Sequence, residues 1–319
     1  GGLYDGAVGV LAGLEVVAVL NERGIQTRRP LAVAAFSNEE GARFAPDMMG
    51  SLVYQGGMGL EQALAVEGID GVTVGEALSA IDYRGEAPCG EPWVASYVEL
   101  HVEQGPVLEQ AGVTIGAVEG VQGISWREYT LEGDSNHAGT TPMALRHDAG
   151  FVAMAAACEL RRLCREIPGQ LGTMGRLRLA PDLVNVIPAR ACFAVDLRNT
   201  DNQRLGEAES RLAAFIEATA RGEGVSVQSR RLARFDPVDF APELVSRVEA
   251  SARQLGYPVQ RLPSGAGHDA QMLARVCPSA MIFVPSVGGI SHNTQEYTAP
   301  ADIQAGAEVL LRVLLELSD

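Results

Sequence analysis

A stretch of eleven residues, 31–41, restricts the possible folds of this chain more than any other. Residues 31–36 are all apolar, and they are followed by Ser37, Asn38, the neighbouring acids Glu39 and Glu40, and Gly41. An unbroken apolar run that turns abruptly polar is typical of a strand buried on both faces that ends in a loop. The stretch therefore predicts a core strand of an α/β sheet, with two carboxylates in the loop at its carboxyl end.

Those two carboxylates have two interpretations. Adjacent like charges repel, and a multivalent cation bound by one of them removes the repulsion. The other, with a raised pKa, is then suited to proton transfer. The alternative is a solvated Glu-Glu pair in a surface loop, which is the commoner situation for an isolated pair because exposed glutamates are frequent. The rest of the chain has to decide between them.

Length and charge limit the class of protein. A chain of 319 residues is expected to form one large or two ordinary domains, and its 36 glycines and 16 prolines suit an α/β enzyme with many turns. No apolar run is long enough to span a membrane. A net charge of −15 argues against nucleic acids and anionic membranes as partners.

The cysteines indicate a reducing compartment. The five are odd in number and contain no CxxC pair, so we expect reduced, mostly buried thiols in a cytoplasmic protein. They are Cys89, Cys158, Cys164, Cys192 and Cys277.

The order of elements predicts two domains. A glycine-rich turn at 1–6 leads into a helix whose apolar face we expect to include Leu11 and Leu14. A strand at 94–100 delivers His101 to its carboxyl end, where α/β sheets place ligands. From 118 to 232 the pattern becomes β-α-β-β-α-β, which suits an inserted open-faced sandwich. Residues 1–117 and 233–319 would form the catalytic domain.

Residue types suitable for a metal site occur in these loops. Zinc binds histidine nitrogen and carboxylate oxygen, and catalytic sites keep a position for water. The candidate ligands are Asp5, Glu40, His101 and His292. One aspartate shared by two ions would hold them a few ångströms apart, and Glu39 could then move a proton between water and a leaving nitrogen.

Arg198 is a candidate for binding an anionic substrate. In the predicted strand 190–198, Phe193 and Val195 fall on one face, whereas Asp196 and Arg198 fall on the other. A guanidinium can hold a carboxylate with two parallel hydrogen bonds, which would provide a local cationic site in an acidic protein. A salt bridge to Asp196 on an open sheet face is the alternative.

Several motifs together resemble the hydantoinase/carbamoylase group of dinuclear metallo-amidases. The resemblance runs from Gly1 to the C-terminus, and the motifs follow the order of that family. They are Gly2-Leu3-Tyr4-Asp5-Gly6, Ser37-Asn38-Glu39-Glu40-Gly41-Ala42-Arg43-Phe44, Glu99-Leu100-His101-Val102-Glu103-Gln104-Gly105-Pro106, Asn136-His137-Ala138-Gly139-Thr140-Thr141-Pro142-Met143, Gly265-Ala266-Gly267-His268-Asp269-Ala270 and Ser291-His292-Asn293-Thr294.

The resemblance implies a fold and an activity. The fold would be α/β, an aminoacylase-like catalytic domain with a mixed sheet flanked by helices, plus an inserted α+β open-faced sandwich for dimerisation or lid closure. The activity would be hydrolysis of an N-carbamoyl-L-amino acid to the amino acid, CO₂ and ammonia. β-Ureidopropionase and allantoate amidohydrolase are the alternatives within the group. An ordinary peptidase or deacylase is disfavoured by His101, where such relatives usually place a carboxylate.

The resemblance also implies residue roles. Asp5 would bridge two divalent ions (Zn²⁺, or Mn²⁺, Co²⁺ or Ni²⁺), with Glu40 and His292 on one and His101 on the other. Glu39 would be the general acid/base. His137 would reach across a homodimer interface to stabilise an oxyanion. The substrate-binding residues would be Gln104, Asn185, Arg198 and His268, with Arg198 on the α-carboxylate.

One element of the family pattern lies outside the printed sequence. The family carries a His-x-Asp metal motif shortly before the glycine-rich turn, and this sequence begins after that position. We therefore expect a polypeptide of these 319 residues, made alone, to be inactive or poorly folded. A degenerate binding module on the same fold is the alternative from another class of protein.

Overall fold

The computed structural model describes residues 2–91 and 93–318, and it contains two compact units. The first unit joins Gly1–Val121 with Asp239–Asp319, and the second is Gln122–Val238. Because the chain leaves the first unit after Val121 and re-enters it at Asp239, the sheet of that unit is built from two separate segments of the sequence.

The first unit contains a mixed sheet and eight α-helices among the described residues. Its helices are α1 Ala7–Glu22, α2 Met49–Tyr54, α3 Leu60–Leu64, α4 Val74–Ala80, α5 Val107–Ala111, α8 Pro242–Gln254, α9 Asp269–Leu273 and α10 Pro300–Ser318. Its strands are β1 Tyr97–Val102, β2 Ile115–Val121, β8 Val259–Ser264 and β9 Ser279–Val284, with β7 Val238–Asp239 at the boundary.

The sheet of the first unit positions the candidate site residues. Its order is β1-β9-β2-β7, with β8 also paired to β2. β1 runs parallel to β9, β9 antiparallel to β2, and β2 parallel to β8. Every residue of β9 is buried, and α1, α8 and α10 pack with the sheet into one apolar core. The predicted mixed sheet flanked by helices is confirmed.

The predicted buried strand at 31–36 is wrong. These residues have no strand assignment, and residues 32–35 are exposed. A strand needs a hydrogen-bonding neighbour, and in the described chain β1 pairs only with β9. Residues 31–36 instead line a cavity of about 640 Å³, together with α1 and β1. An apolar run shows that a segment is suited to burial, but it does not show that a neighbouring strand is available to pair with it.

The predicted apolar face of α1 is also wrong. Leu11 and Leu14 are 64% and 53% exposed, whereas the buried residues are Val8, Ala12, Val16 and Leu20. The helix is apolar on every side, so periodicity alone does not select the face. The close approach of α1 to β1 selects the buried face, because a Cβ on Gly9 would lie 2.5 Å from the carbonyl oxygen of Leu100.

The second unit has the predicted β-α-β-β-α-β order. Its elements are β3 Gly123–Glu132, α6 Ala149–Glu166, β4 Leu171–Ala180, β5 Arg190–Asn199, α7 Asn202–Glu223 and β6 Ser226–Phe235. The sheet is antiparallel, in the order β4-β5-β3-β6. The predicted faces of β5 are confirmed, because Phe193 and Val195 are buried in a core with α6 and α7.

The cysteines differ in burial from the expectation. All five are described and free, but Cys89 and Cys158 are exposed and Cys277 alone is fully buried. Helical periodicity did not fix the orientation of Cys158 within α6. Among the described residues, no helix combines the length and apolarity needed to cross a bilayer.

Candidate metal centre and active site

Asp5 lies at the centre of a group of polar side chains in the first unit. The residue that caps α1 is Gly6, at φ 60° and without a side-chain cap, so the Asp5 carboxylate is not used for capping. Asp5 Oδ1 lies 3.0 Å from Gln104 Nε2 and 3.3 Å from His101 Nε2. Asp5 Oδ2 lies 3.1 Å from His292 Nε2, and the carboxylate is only 7% exposed.

His101 occupies the last part of β1, which runs two residues beyond its predicted end. Its Nδ1 lies 2.8 Å from the carbonyl oxygen of Val102, to which it can only donate. This contact leaves the Nε2 lone pair directed toward Asp5 and the backbone N–H of Gly6, 3.2 Å away. A histidine whose Nδ1–H is held by a carbonyl is the tautomer that binds a metal through Nε2.

Glu40 and His292 approach Asp5 from two other loops. His292 Nε2 lies 3.7 Å from Glu40 Oε2. Asp5, Glu40 and His292 each offer one ligand atom, and these atoms lie within 4.8 Å of one another. Glu99, His101 and His268 form a second group of this kind. All four predicted metal ligands are therefore neighbours in space.

The donor set suits a cation. Asp5 Oδ2 is buried and accepts no hydrogen bond, although His292 Nε2 lies beside it. Gln104 Nε2 donates to Asp5 Oδ1 and also faces His292 Nε2 at 3.3 Å. An imidazole nitrogen that accepts from Gln104 presents a lone pair to a carboxylate oxygen, and these two groups repel unless a positive charge lies between them. Nitrogen and oxygen ligands without sulfur suit zinc and neighbouring divalent metals.

Glu39 lies beside this group, and its carboxyl group is close to those of other acids. Burial raises the pKa of Glu39 to about 8, and the charges of Asp269, Glu40 and Glu99 contribute to the rise. A carboxyl group with such a pKa can both hold and release a proton near neutral pH. The Asn38–Glu39 backbone is fixed by Met48, whose N–H donates to the Glu39 carbonyl at 2.7 Å.

Two partly buried acids next to Glu39 were missed from the sequence. Burial raises the pKa of Glu99 to about 7, and Glu99 Oε2 accepts from Tyr97 Oη at 3.2 Å and from the N–H of Ala270 at 2.8 Å. Burial also raises the pKa of Asp269 to about 6, and Ser51 donates a short hydrogen bond to it. The spacing of Glu99 and His101 was a usable signal, because alternate residues of a strand share a face.

His268, predicted to bind substrate, is almost fully buried behind His101. Its ring centroid lies 4.5 Å from that of His101, and its Nε2 lies 2.9 Å from Ser264 Oγ. Burial holds the pKa of His268 well below its usual value, so the ring is neutral. Gln104, the other predicted substrate residue of this unit, contacts Asp5 and His292 directly.

The second unit contains the other three predicted site residues. His137 is exposed, and its Nδ1 accepts from the N–H of Gly139 at 3.1 Å. The loops of His137 and Asn185 are joined, since the N–H of Ala138 donates to the Asn185 carbonyl at 2.9 Å. Arg198 forms an ion pair with Asp196 at 2.9 Å, which is the alternative stated for it above.

Comparison with known proteins defines the class. The model of the peptidase family M20/M25/M40 matches residues 1–316. The chain belongs to this family, and the likeness covers both units. An aminopeptidase PepT from Bacillus cereus shares the fold, with 16% identity and a TM-score of 0.68 over 98% of this chain and 70% of that one.

More similar proteins are amidases. An amidase of the hydantoinase/carbamoylase family from Burkholderia multivorans has a TM-score of 0.97 and 42% identity, covering 100% of this chain and 78% of that one. The N-carbamoyl-L-amino-acid amidohydrolase of Rhizobium meliloti is 40% identical over 100% of this chain and 77% of its own length. The allantoate amidohydrolase of Bacillus subtilis is 33% identical, covering 100% of this chain and 78% of that protein. The resemblance seen in the sequence motifs is confirmed.

Proposed function

We propose that the protein is a metal-dependent amidohydrolase that cleaves the carbamoyl C–N bond of N-carbamoyl-L-amino acids. Water is consumed, and the products are the amino acid, CO₂ and ammonia. The observation that carries the proposal is the buried Asp5 carboxylate, which faces His101, His292 and Gln104 and has one oxygen without a hydrogen bond. The relatives named for this activity support the choice of substrate.

The residues around Asp5 fit two divalent ions. Glu40 and His292 would share one ion with Asp5, and His101 would bind the other. Such ions polarise a carbonyl oxygen and lower the pKa of water. Zn²⁺, Mn²⁺, Co²⁺ and Ni²⁺ all accept this donor set. Separately, the free thiols of the five cysteines suit a cytoplasmic protein.

Glu39 is the proposed proton carrier of the reaction. Its side chain is partly buried among Asp269, Glu40 and Glu99, and its raised pKa lets it release and take up a proton near neutral pH, so that the ionised form can act as the base. It would accept a proton from the attacking water and deliver it to the departing nitrogen. The buried His268 and the Nδ1–H···O contact of His101 would hold the imidazole of His101 in one orientation.

The second unit would supply the substrate clamp and the dimer contact. Arg198 could exchange its partner Asp196 for the α-carboxylate of the substrate, in a bidentate pair. Asn185 would contact the substrate, and the exposed imidazole of His137 would act on the oxyanion in the partner subunit of a homodimer. The domain bounds 1–117, 118–232 and 233–319 are part of the same proposal.

Allantoate amidohydrolase is the second candidate, since the Bacillus subtilis relative carries that name. β-Ureidopropionase is a third ureido hydrolase of the same chemistry. Each of these substrates also presents a carbamoyl group and a carboxylate. The metal group and Glu39 would serve all three, so the side-chain pocket decides among them.

The complete natural protein should be purified, analysed for metal and assayed for ammonia release. The substrates are a series of N-carbamoyl-L-amino acids, ureidopropionate and allantoate. We expect about two divalent ions per chain and highest kcat/KM on an N-carbamoyl-L-amino acid, with activity lost on chelation and regained with metal.

Three results would change the proposal. Preference for allantoate or ureidopropionate would replace the substrate while leaving the chemistry. Full activity after complete metal removal would refute the metal role. A folded, metal-free protein without activity on any of the three would favour the degenerate binding module.

A further inference from the structure

Glu296 links the two turns that carry Asp5 and His292. Its Oε2 accepts hydrogen bonds from the backbone N–H groups of Tyr4 and Asp5, at 2.9 and 3.0 Å. Its Oε1 accepts from Ser291 Oγ at 3.0 Å, and Ser291 directly precedes His292. One carboxylate therefore binds the backbone of one ligand segment and the side chain next to the other.

The surroundings of Glu296 explain why a carboxylate lies at this position. The residue is only 4% exposed, and among the described residues its carboxylate is satisfied by those three donors rather than by a cationic side chain. A buried carboxylate is costly to hold unless it is fully hydrogen-bonded. Neither a capping role nor a described ion pair explains its place, since its donors come from residues more than 290 positions apart and from its own turn.

Gly2 lies so close to Glu296 that a side chain on residue 2 would displace the carboxylate. A Cβ built on Gly2 would lie 1.9 Å from Glu296 Oε2. Any side chain at this position would push the carboxylate away from the two N–H groups. The glycine of the motif therefore permits the contact with Glu296.

The turn of His292 needs support of this kind. His292 has φ 52°, in the left-handed region that non-glycine residues seldom adopt. The surrounding turn is closed by the Ser291–Glu296 bond and by the N–H of Glu296, which donates to the Asn293 carbonyl at 3.1 Å. The rings of Tyr4 and Tyr297 meet edge to face at 5.9 Å beside the same junction. Strained backbone persists only where the surroundings hold it.

We propose that Glu296 is a positioning residue that sets the separation of Asp5 and His292, and so the fit of the metal centre. In this role it would contact neither metal nor substrate and would act through its hydrogen bonds to Tyr4, Asp5 and Ser291. This inference rests on the proposed metal-dependent function, because it concerns the same ligands. Residues that orient metal ligands without binding the metal commonly change metal affinity or activity by about 10–100-fold when removed.

Three variants test this role, with metal affinity as the main readout. The metal-stripped complete protein is titrated with Mn²⁺ by calorimetry, and its melting temperature is measured without metal. Glu296→Ala should weaken Mn²⁺ binding by about 10–100-fold. Glu296→Gln should recover most of the affinity, because its oxygen can accept from both N–H groups while its NH₂ donates to Ser291. Gly2→Ala should weaken binding as Glu296→Ala does, although Glu296 is still present.

Asp201→Ala is the matched control. The Asp201 carboxylate also accepts two backbone N–H groups, from Gln203 and Arg204, but it caps α7 in the second unit. We expect this variant to lower the melting temperature and leave Mn²⁺ affinity unchanged.

The outcomes separate the two levels of the proposal. Wild-type Mn²⁺ affinity in both Glu296→Ala and Gly2→Ala would overturn the role of Glu296 and leave the proposed function standing. A Glu296→Gln protein as weak as Glu296→Ala would overturn the geometric account as well. A folded wild-type protein that binds no divalent metal would overturn both proposals. If Glu296→Ala does not fold, Gly2→Ala and Glu296→Gln decide the question.

Discussion

The candidate residues of the two units differ in how their polar atoms are satisfied. In the first unit, Asp5 Oδ2 is buried without a hydrogen bond and faces the imidazole of His292. In the second unit, Arg198 is paired with Asp196, and His137 Nδ1 accepts from the neighbouring Gly139. The first group presents converging lone pairs, whereas the second presents side chains with partners of their own.

This difference shows which kind of ligand each group can bind. Converging acceptors that repel one another are stabilised by a cation, and the fold holds them together at a cost. A paired arginine can exchange one carboxylate for another without any such repulsion. The ion pair of Arg198 with Asp196 therefore does not indicate whether Arg198 binds a substrate. The candidate metal ligands are consequently recognisable from their contacts, whereas the candidate substrate-binding residues are not.

The largest effect is expected from Asp5→Asn. The substitution keeps the shape of the side chain but removes the charge shared by the surrounding ligands, so bound metal and activity should both fall to background. Metal analysis and the ammonia-release assay check this. Asp82→Asn, an exposed acid at φ 53° that asparagine tolerates, is the control and should behave as wild type. Normal metal content in Asp5→Asn would contradict the central place given to Asp5.

Glu39→Gln should separate proton transfer from metal binding. We expect kcat to fall by roughly 10²–10⁴-fold, the usual contribution of a general acid/base, with the metal content unchanged. Single-turnover kinetics and metal analysis measure the two effects. Loss of metal in parallel with activity would instead identify Glu39 as a ligand.

Arg198→Lys should have an intermediate effect if Arg198 binds the substrate carboxylate. Hydrogen bonds to charged groups contribute about 1.5–3 kcal/mol, so loss of the bidentate pair should lower kcat/KM by roughly 10–150-fold. The effect should fall mainly on KM. Asp196→Asn, by contrast, should change stability by about 0–1 kcal/mol, as for other half-exposed ion pairs. Equal KM values in Arg198→Lys and wild type would leave only the structural role.

The smallest effect is expected from the cap of α6 in the second unit. Asp148 accepts from the N–H of Phe151 at 3.0 Å. Asp148→Ala should lower the free energy of unfolding by about 1 kcal/mol, the typical value of an N-cap, while kcat and metal content stay the same. Urea denaturation followed by circular dichroism measures the change, and Asp148→Asn should retain the cap. A large loss of activity at constant stability would show that the second unit contributes more directly than proposed.

Elements with a one-sided pattern were predictable from the sequence. Burial alternates from residue to residue along β5, and Phe193 and Val195 lie on the buried face as predicted. The β-α-β-β-α-β order of the second unit also agrees with the prediction. By contrast, α1 and residues 31–36 are apolar on all sides, so no periodicity could orient the helix or supply the strand with a partner.

The site was predictable in its residue types and not in its contacts. Motifs identified Asp5, Glu40, His101 and His292, which the structure brings together. They did not single out Asp269 or Glu296, because an acid in a sequence shows nothing of its burial. The raised pKa of Glu99, to about 7, arises from burial that only packing creates.

The sequence by itself determined the family, the order of elements in the second unit and the ligand types, since periodicity and motif spacing are local properties. The tertiary structure alone decided which face of α1 is buried and which atoms of Asp5 face which histidines. It also decided that Glu296, near the end of the chain, holds the turn at its beginning. The physical reason is that burial and hydrogen bonding between distant segments depend on which surfaces meet, and no local pattern records that.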